Sequence, residues 1–262
     1  MGFPLEDTWA VALIAGVFGL LLGSFMNVCT LRWPTDESVI RPPSHCPGCQ
    51  SPIQWFDNIP VLSYLILRGR CRTCRASISP QYPMVELATG LIWAGTFWQF
   101  GPSFEAARGA VFLTILLGIA ITDARFYIIP DQFSLGGGVL GLALAPLPGG
   151  LRLMDAVLGA VVGFSILWVV AKVGTWVFKK DAMGGGDLKM MGMVGAFLGL
   201  PGVLLTLFLG ALLGSVVFGP ISWKTGKLVP FGIFLAAGAA VAYGWGDYLI
   251  GWYYQNFLAM PV

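Results

Sequence analysis

A single histidine, His45, stands among the 262 residues. With one imidazole, placed beside a cysteine, the chain has no Ser-His or Cys-His set for nucleophilic catalysis. Neither the HExxH zinc-protease pattern nor a glycine-rich P-loop occurs. Charge is scarce as well. Asp, Glu, Lys and Arg supply 11% of the residues, where a soluble domain has ~25%. The net charge of +2 is too small to suggest a nucleic-acid partner.

What the chain has in quantity is apolar surface. Hydrophobic residues make up 56% and the mean hydropathy is +0.78. A soluble ball of this size could not hide so much, so the composition points to a polytopic membrane protein. One span needs ~20 mostly apolar residues. Eight candidates are expected, at residues 9–31, 84–100, 109–122, 132–147, 153–178, 188–200, 202–222 and 229–250. The third and sixth are short, and each borders an acidic residue.

With the N-terminus outside, twelve of the 15 basic residues fall on one, cytoplasmic side. They include Arg32, the arginines of the first loop, Arg125, Lys179, Lys180, Lys189, Lys224 and Lys227. Arg108 and Arg152 fall outside, and Lys172 can snorkel from within a span. Both termini are then periplasmic. Glu6 and Asp7 stand where a secretory signal would be basic, so the first span is expected to be a retained anchor. Glycines spaced as GxxxG (Gly19–Gly23, Gly159–Gly163, Gly195–Gly199, Gly210–Gly214) are expected to pack helix against helix.

The expected organisation is all-α: a first span at 1–31, a cytoplasmic loop domain at 32–82, and seven further spans at 83–262. The loop domain is rich in proline and too small for a strong core, so it needs a staple. Cys46-Pro-Gly-Cys49 and Cys71-Arg-Thr-Cys74 supply one. Two CxxC knuckles separated by 21 residues have the spacing of a structural four-cysteine zinc site. The competing reading, two disulfides or free thiols, fits a cytoplasmic loop poorly. Four thiolates complete a tetrahedron without His45, and Cys29 inside the first span is expected to pack. Arg70, Arg72 and Arg75 offer the loop a second use, binding lipid headgroups or an acidic ligand.

Ionisable residues at membrane depth are functional candidates, and four stand out: Glu86, Asp123, Asp131 and Asp187. Glu86 can mark the water interface or pair with a loop arginine, and Asp131 after Pro130 fits a solvated interface residue. Asp123 closes the third span and Asp187 opens the sixth, so the topology sets both at the cytoplasmic ends of their helices. Paired carboxylates that share a proton suit peptide hydrolysis, one activating water and the other polarising the carbonyl. Gly184 and Gly186 would let a substrate backbone approach Asp187 closely. Spacing alone leaves solvated interface acids as the competing reading.

Gly184-x-Gly186-Asp187 is the GxGD signature of intramembrane aspartyl proteases. It accompanies Gly23-Ser-Phe-Met-Asn27-Val, the two knuckles, Asn58-Ile-Pro-Val-Leu-Ser-Tyr64, Leu67-Arg-Gly-Arg-Cys71, Tyr82-Pro-Met-Val-Glu86 and Pro230-Phe-Gly232. In this order the set resembles the bacterial type IV prepilin peptidase family over nearly the whole chain. The resemblance implies a bifunctional enzyme of the bacterial inner membrane. It would remove the basic leader of type IV prepilins or type II secretion pseudopilins after a glycine. It would then methylate the new N-terminal amine with S-adenosylmethionine. It also implies that Asp123 and Asp187 are the catalytic pair, and Cys46, Cys49, Cys71 and Cys74 the zinc ligands. The chain shows no glycine-rich strand-turn-helix for the methyl donor. Three other readings remain: a peptidase without methyl transfer; a proton-coupled transporter using Asp123, Asp187 and Lys172; and a silent scaffold whose zinc module binds a partner.

Overall fold

A computed structural model describes residues 5–180, 183–225 and 230–258; Lys227 and the first residue of the span expected at 229–250 lie outside them. Among the described residues the long elements are all helices, and the segment from 33 to 80 is mostly irregular. In chain order the helices are α1 (Leu5–Arg32), α2 (Leu62–Ile66), α3 (Gln81–Phe100), α4 (Phe104–Phe126), α5 (Asp131–Leu144), α6 (Leu153–Phe178), α7 (Gly185–Thr225) and α8 (Phe231–Tyr253). Among the described residues, five stretches are long and apolar enough to cross a membrane: Thr8–Thr35, Phe104–Phe126, Leu153–Phe178, Gly185–Val217 and Phe231–Phe257. The α6 stretch has a mean hydropathy of 2.2 with only 22% of it buried. So apolar an outer face belongs in lipid rather than water.

The expected spans fall on helices over most of their described residues, but α3 and α5, which carry those expected at 84–100 and 132–147, are not among the five stretches, so the count of eight is not reached. Two further differences concern bounds. The third expected span is longer in the structure, because α4 starts at Phe104 and runs to Phe126. Its start is fixed by Ser103, whose hydroxyl accepts the Ala106 N–H at 3.1 Å, a side-chain cap for the first turn. The sixth and seventh spans share one helix, α7, broken at Gly199 with φ 66° and ψ −173°.

The chain divides into two compact units, Met1–Thr114 and Ile115–Val262. In the first, α1 and α3 pack through glycine. A Cβ at Gly19 would lie 2.8 Å from the Thr89 carbonyl oxygen, and one at Gly23 would lie 2.6 Å from the Glu86 Cα. Ala15, Trp93 and Ala110 form its buried apolar centre. The Trp93 indole N–H donates to Thr114 Oγ1 at 3.1 Å, so the ring is buried without an orphaned donor.

In the second unit α6 lies on α7, with Gly159 facing Gly195 and Gly199, and Gly163 facing the Met191 carbonyl. Methionine and phenylalanine fill the α5–α7 seam: Met193 packs on Gly137 and Phe197 on Gly141. The far half of α7 meets α8 where Gly238 faces the Thr206 carbonyl and Gly210. The GxxxG glycines thus pack as expected, apart from the added role of Gly199 as the break.

Candidate active site and metal centre

Asp123 lies one turn before the end of α4, and Tyr127 in the left-handed region (φ 56°) stops the helix just beyond it. The carboxylate is buried at 6% exposure. A buried carboxylate needs donors, and α8 supplies one. The Ile233 N–H donates to Asp123 Oδ2 at 3.1 Å. Pro230 starts this helix, so free amides of the first turn point at the acid, the usual place for an anion. Gly232 stands beside it, and a Cβ there would be only 2.9 Å from Oδ2.

Asp187 is in the first turn of α7 and half-buried. Ile129 packs between their supports. A Cβ at Gly186 would meet the Ile129 Cβ at 2.9 Å, and one at Gly232 would meet its Cδ1 at 2.8 Å. The two acids of the sequence pattern therefore come together within the second unit, from α4 and α7.

The two glycines before Asp187 differ. Gly186 is small because Ile129 fills its side-chain space, whereas Gly184 is exposed and a Cβ there would meet only Asp187 Oδ2, at 3.7 Å. Asp131 stays apart from the pair. It is exposed in the first turn of α5 and accepts from Lys189 Nζ at 2.6 Å, tying the start of α5 to the start of α7. Glu86 does not stand at the water interface, and among the described residues it forms no ion pair with an arginine. It is buried at 8% exposure, and its Oε2 accepts the Val61 N–H at 2.7 Å. The sequence pattern includes Pro230-Phe-Gly232 but assigns Gly232 and the Ile233 amide no role; the proline-led helix start after a short basic stretch was the only signal for them.

The four loop cysteines meet in the first unit. All four Sγ atoms lie within 4.8 Å of one another, and those of Cys46 and Cys74 are 3.7 Å apart. Tetrahedral zinc with Zn–S bonds of ~2.3 Å sets its sulfurs about 3.8 Å apart, so the set fits such an ion. The two knuckles repeat one backbone shape. Gln50 N–H donates to the Cys46 carbonyl (2.8 Å) and Cys46 N–H to that of Ser51 (3.0 Å); Arg75 N–H donates to Cys71 (3.1 Å) and Cys71 N–H to Ala76 (2.9 Å). Gln50 and Arg75 both turn at positive φ, 59° and 61°, and bridges His45–Pro52 and Arg70–Ser77 close the two bases. His45 serves that bridge and is outside the ligand set. Hydrogen bonding from the Ser51 hydroxyl, 2.8 Å from Cys49 Sγ, is the main cause that brings the Cys49 thiol down to about 6, towards the thiolate a metal needs. Cys29 is buried inside α1, as expected.

Among the loop arginines, Arg72 is engaged inside the protein. Its guanidinium donates to both Asp57 oxygens at 2.6–3.1 Å and covers the Phe56 ring at 5.5 Å.

The model of the bacterial peptidase A24 N-terminal domain matches residues 17–100, and that of the type IV leader peptidase family matches residues 110–219. The prepilin leader peptidase/N-methyltransferase of Stutzerimonas stutzeri is 37% identical over 97% of this chain and 97% of its own length. That of Aeromonas hydrophila is 35% identical over 95% and 96%. The Myxococcus xanthus protein of the same name is 39% identical over 82% of this chain and 64% of its own length. No solved structure matches the chain. With both halves matched in order and relatives alike over nearly their full length, the chain belongs to the type IV leader peptidase family.

Proposed function

We propose that this chain removes the leader peptide of type IV prepilins or type II secretion pseudopilins and then N-methylates the residue so exposed, with Asp123 and Asp187 as the catalytic pair. One observation supports the assignment of the pair: Ile129 packs on both Gly186, which precedes Asp187, and Gly232, which packs on the Asp123 carboxylate, with that carboxylate held by the Ile233 amide. The bifunctional activity is supported by the names of the relatives that align end to end.

Hydrolysis needs both acids. The charged carboxylate takes a proton from water as its oxygen attacks the scissile carbonyl, and the protonated one hydrogen-bonds the carbonyl oxygen as charge develops. Proton transfer to the departing amine then breaks the C–N bond. The proton belongs to the pair rather than to either residue. Placement at helix ends suits a substrate whose basic leader stays at the cytoplasmic headgroups while its apolar helix lies in the bilayer. The positive-inside count supports an inner-membrane enzyme of eight spans with both termini periplasmic and the cysteine loop cytoplasmic. Zinc on Cys46, Cys49, Cys71 and Cys74 would cross-link that loop.

The test is incubation of the purified protein with a prepilin and S-adenosylmethionine, read by mass spectrometry for leader loss and for one added methyl group. Asp123→Asn and Asp187→Asn should each abolish leader loss while helical content and elution volume stay as in the wild type. Cleavage by either well-folded variant would refute the assignment of the pair, and no cleavage by the wild type would refute the peptidase reading.

A further inference from the structure

The short helix α2 is built inside out for a helix in water. Its exposed face carries Leu62, Leu65 and Ile66, spaced i, i+3 and i+4, with Leu65 and Ile66 64% and 65% exposed. Its hydroxyl is on the inner side. Ser63 is buried, donates to the Phe56 carbonyl at 2.9 Å and accepts the Ile59 N–H at 3.1 Å. The preceding segment adds Trp55, 79% exposed, and Ile59. So many exposed apolar side chains in one short run mark a contact surface.

The fold also fixes how deep this face lies. Val61, the residue before α2, donates its N–H to Glu86 Oε2 at 2.7 Å. Glu86 is packed against α1 at Gly23, where a Cβ would lie 2.6 Å from the Glu86 Cα. One turn nearer the loop, Asn27 Nδ2 donates to the Tyr82 carbonyl at 3.0 Å, so α1 and α3 run antiparallel side by side. The apolar stretch that holds α1 opens at Thr8. A hydrocarbon core of ~30 Å takes ~20 residues at ~1.5 Å each, which carries it from Thr8 to about Asn27. Gly23 and Glu86 are inside that limit, and α2 starts directly after the residue that Glu86 holds. The segment from Val61 to Ile66 is therefore level with the end of the core rather than out in water.

Basic residues follow at once. Arg68, at φ 52°, is exposed, as are Arg70 and Arg75. Among the described residues no ion pair takes any of the three. A tryptophan and an apolar helix face, followed by arginines, suit a segment that lies in the membrane interface. We propose that Leu62, Leu65 and Ile66 enter the bilayer at the acyl-chain boundary, with Trp55 at headgroup level and Arg68 reaching the lipid phosphates. Phospholipid is the occupant of this face, and it holds the knuckle loop down on the leaflet from which α1 and α3 emerge. Depth carries the choice of occupant, since a soluble partner would have to enter the bilayer edge to reach α2.

Photolabelling from the lipid tests this. The full-length protein is reconstituted in nanodiscs of phosphatidylethanolamine and phosphatidylglycerol, with a photoactivatable diazirine on one acyl chain. Labelled peptides are then mapped by mass spectrometry. Label on α1 between residues 9 and 27 shows insertion and serves as the standard, and the segment from 62 to 66 should be labelled as well. In Leu65→Asp/Ile66→Asp the new charges are expelled from lipid, so label should be lost from 62–66 and persist on α1. Helical content and elution volume report whether that variant is folded, and the wild-type map needs no variant. An unlabelled 62–66 segment in a wild type whose α1 is labelled would overturn the proposal, whether water or another protein chain covers the face. So would a folded variant that keeps the label there.

Discussion

The carboxylate of Asp123 occupies the space that a side chain at Gly232 would need. A Cβ at Gly232 would lie 2.9 Å from Oδ2 and 3.1 Å from Cγ, closer than ordinary contact. The next residue's amide holds the same oxygen. Position 232 therefore sets how near the first turn of α8 comes to the acid, and the acid is fixed by that approach.

Gly232→Ala should move the carboxylate rather than unfold the protein. A misplacement of ~1 Å at a catalytic group costs on the order of 100-fold in rate. Steady-state leader cleavage should fall by about that factor with a small change in thermal midpoint. A cleavage rate within twofold of the wild type would contradict the packing.

Gly199 gives a stability prediction. Its φ of 66° with ψ of −173° lies in a region that is almost wholly glycine's, and other residues held there cost ~1–3 kcal/mol. Gly199→Ala should therefore lower the unfolding midpoint in detergent. Gly195→Ala should also do so, by a different route, since its Cβ would meet the backbone of Gly159.

The Asp57–Arg72 pair predicts a pH response of the loop. The hydrogen bond from Arg72 is the main cause that holds the Asp57 carboxyl below its ordinary value, which is ~3.9. The pair's contribution is thus complete above that value and is lost as pH falls through the lower one. Limited proteolysis of the loop at graded pH should show extra susceptibility in this acid window. Asp57→Asn should be more susceptible at neutral pH and lack that component of the response.

Replacing Cys71 and Cys74 together with serine removes two of four thiolates from one knuckle. Zinc content should drop, and methyl transfer should fall more than leader cleavage, because the cysteines lie in the first unit whereas Asp123 and Asp187 stand in the second. Equal loss of both activities would assign the metal a purely structural role.

Much of this was legible in the sequence because membrane helices announce themselves by composition. The span expected at 153–178 coincides with α6, and the boundary expected near 200 coincides with the break at Gly199. The third span was set too short because hydropathy ends at the first charge, while backbone hydrogen bonding is indifferent to it. Hence α4 carries Asp123 inside a helix, one turn before the end. The acids and cysteines were legible as residue types at telling spacings. The partners of Glu86 and Asp123 were not, since each is a backbone amide, of Val61 and Ile233. Every residue but proline has that group, so no pattern of side chains marks it.

The repeated knuckle shape has a consequence for the segment between. Each knuckle closes on itself: Ile53 N–H reaches back to Ser44 and Ile78 N–H to Gly69. The segment from 54 to 68 is nevertheless tied to the second knuckle, by the Asp57–Arg72 pair and by the Gly69 N–H that donates to the Tyr64 carbonyl at 2.9 Å. A change in that segment would therefore reach the second knuckle before the first.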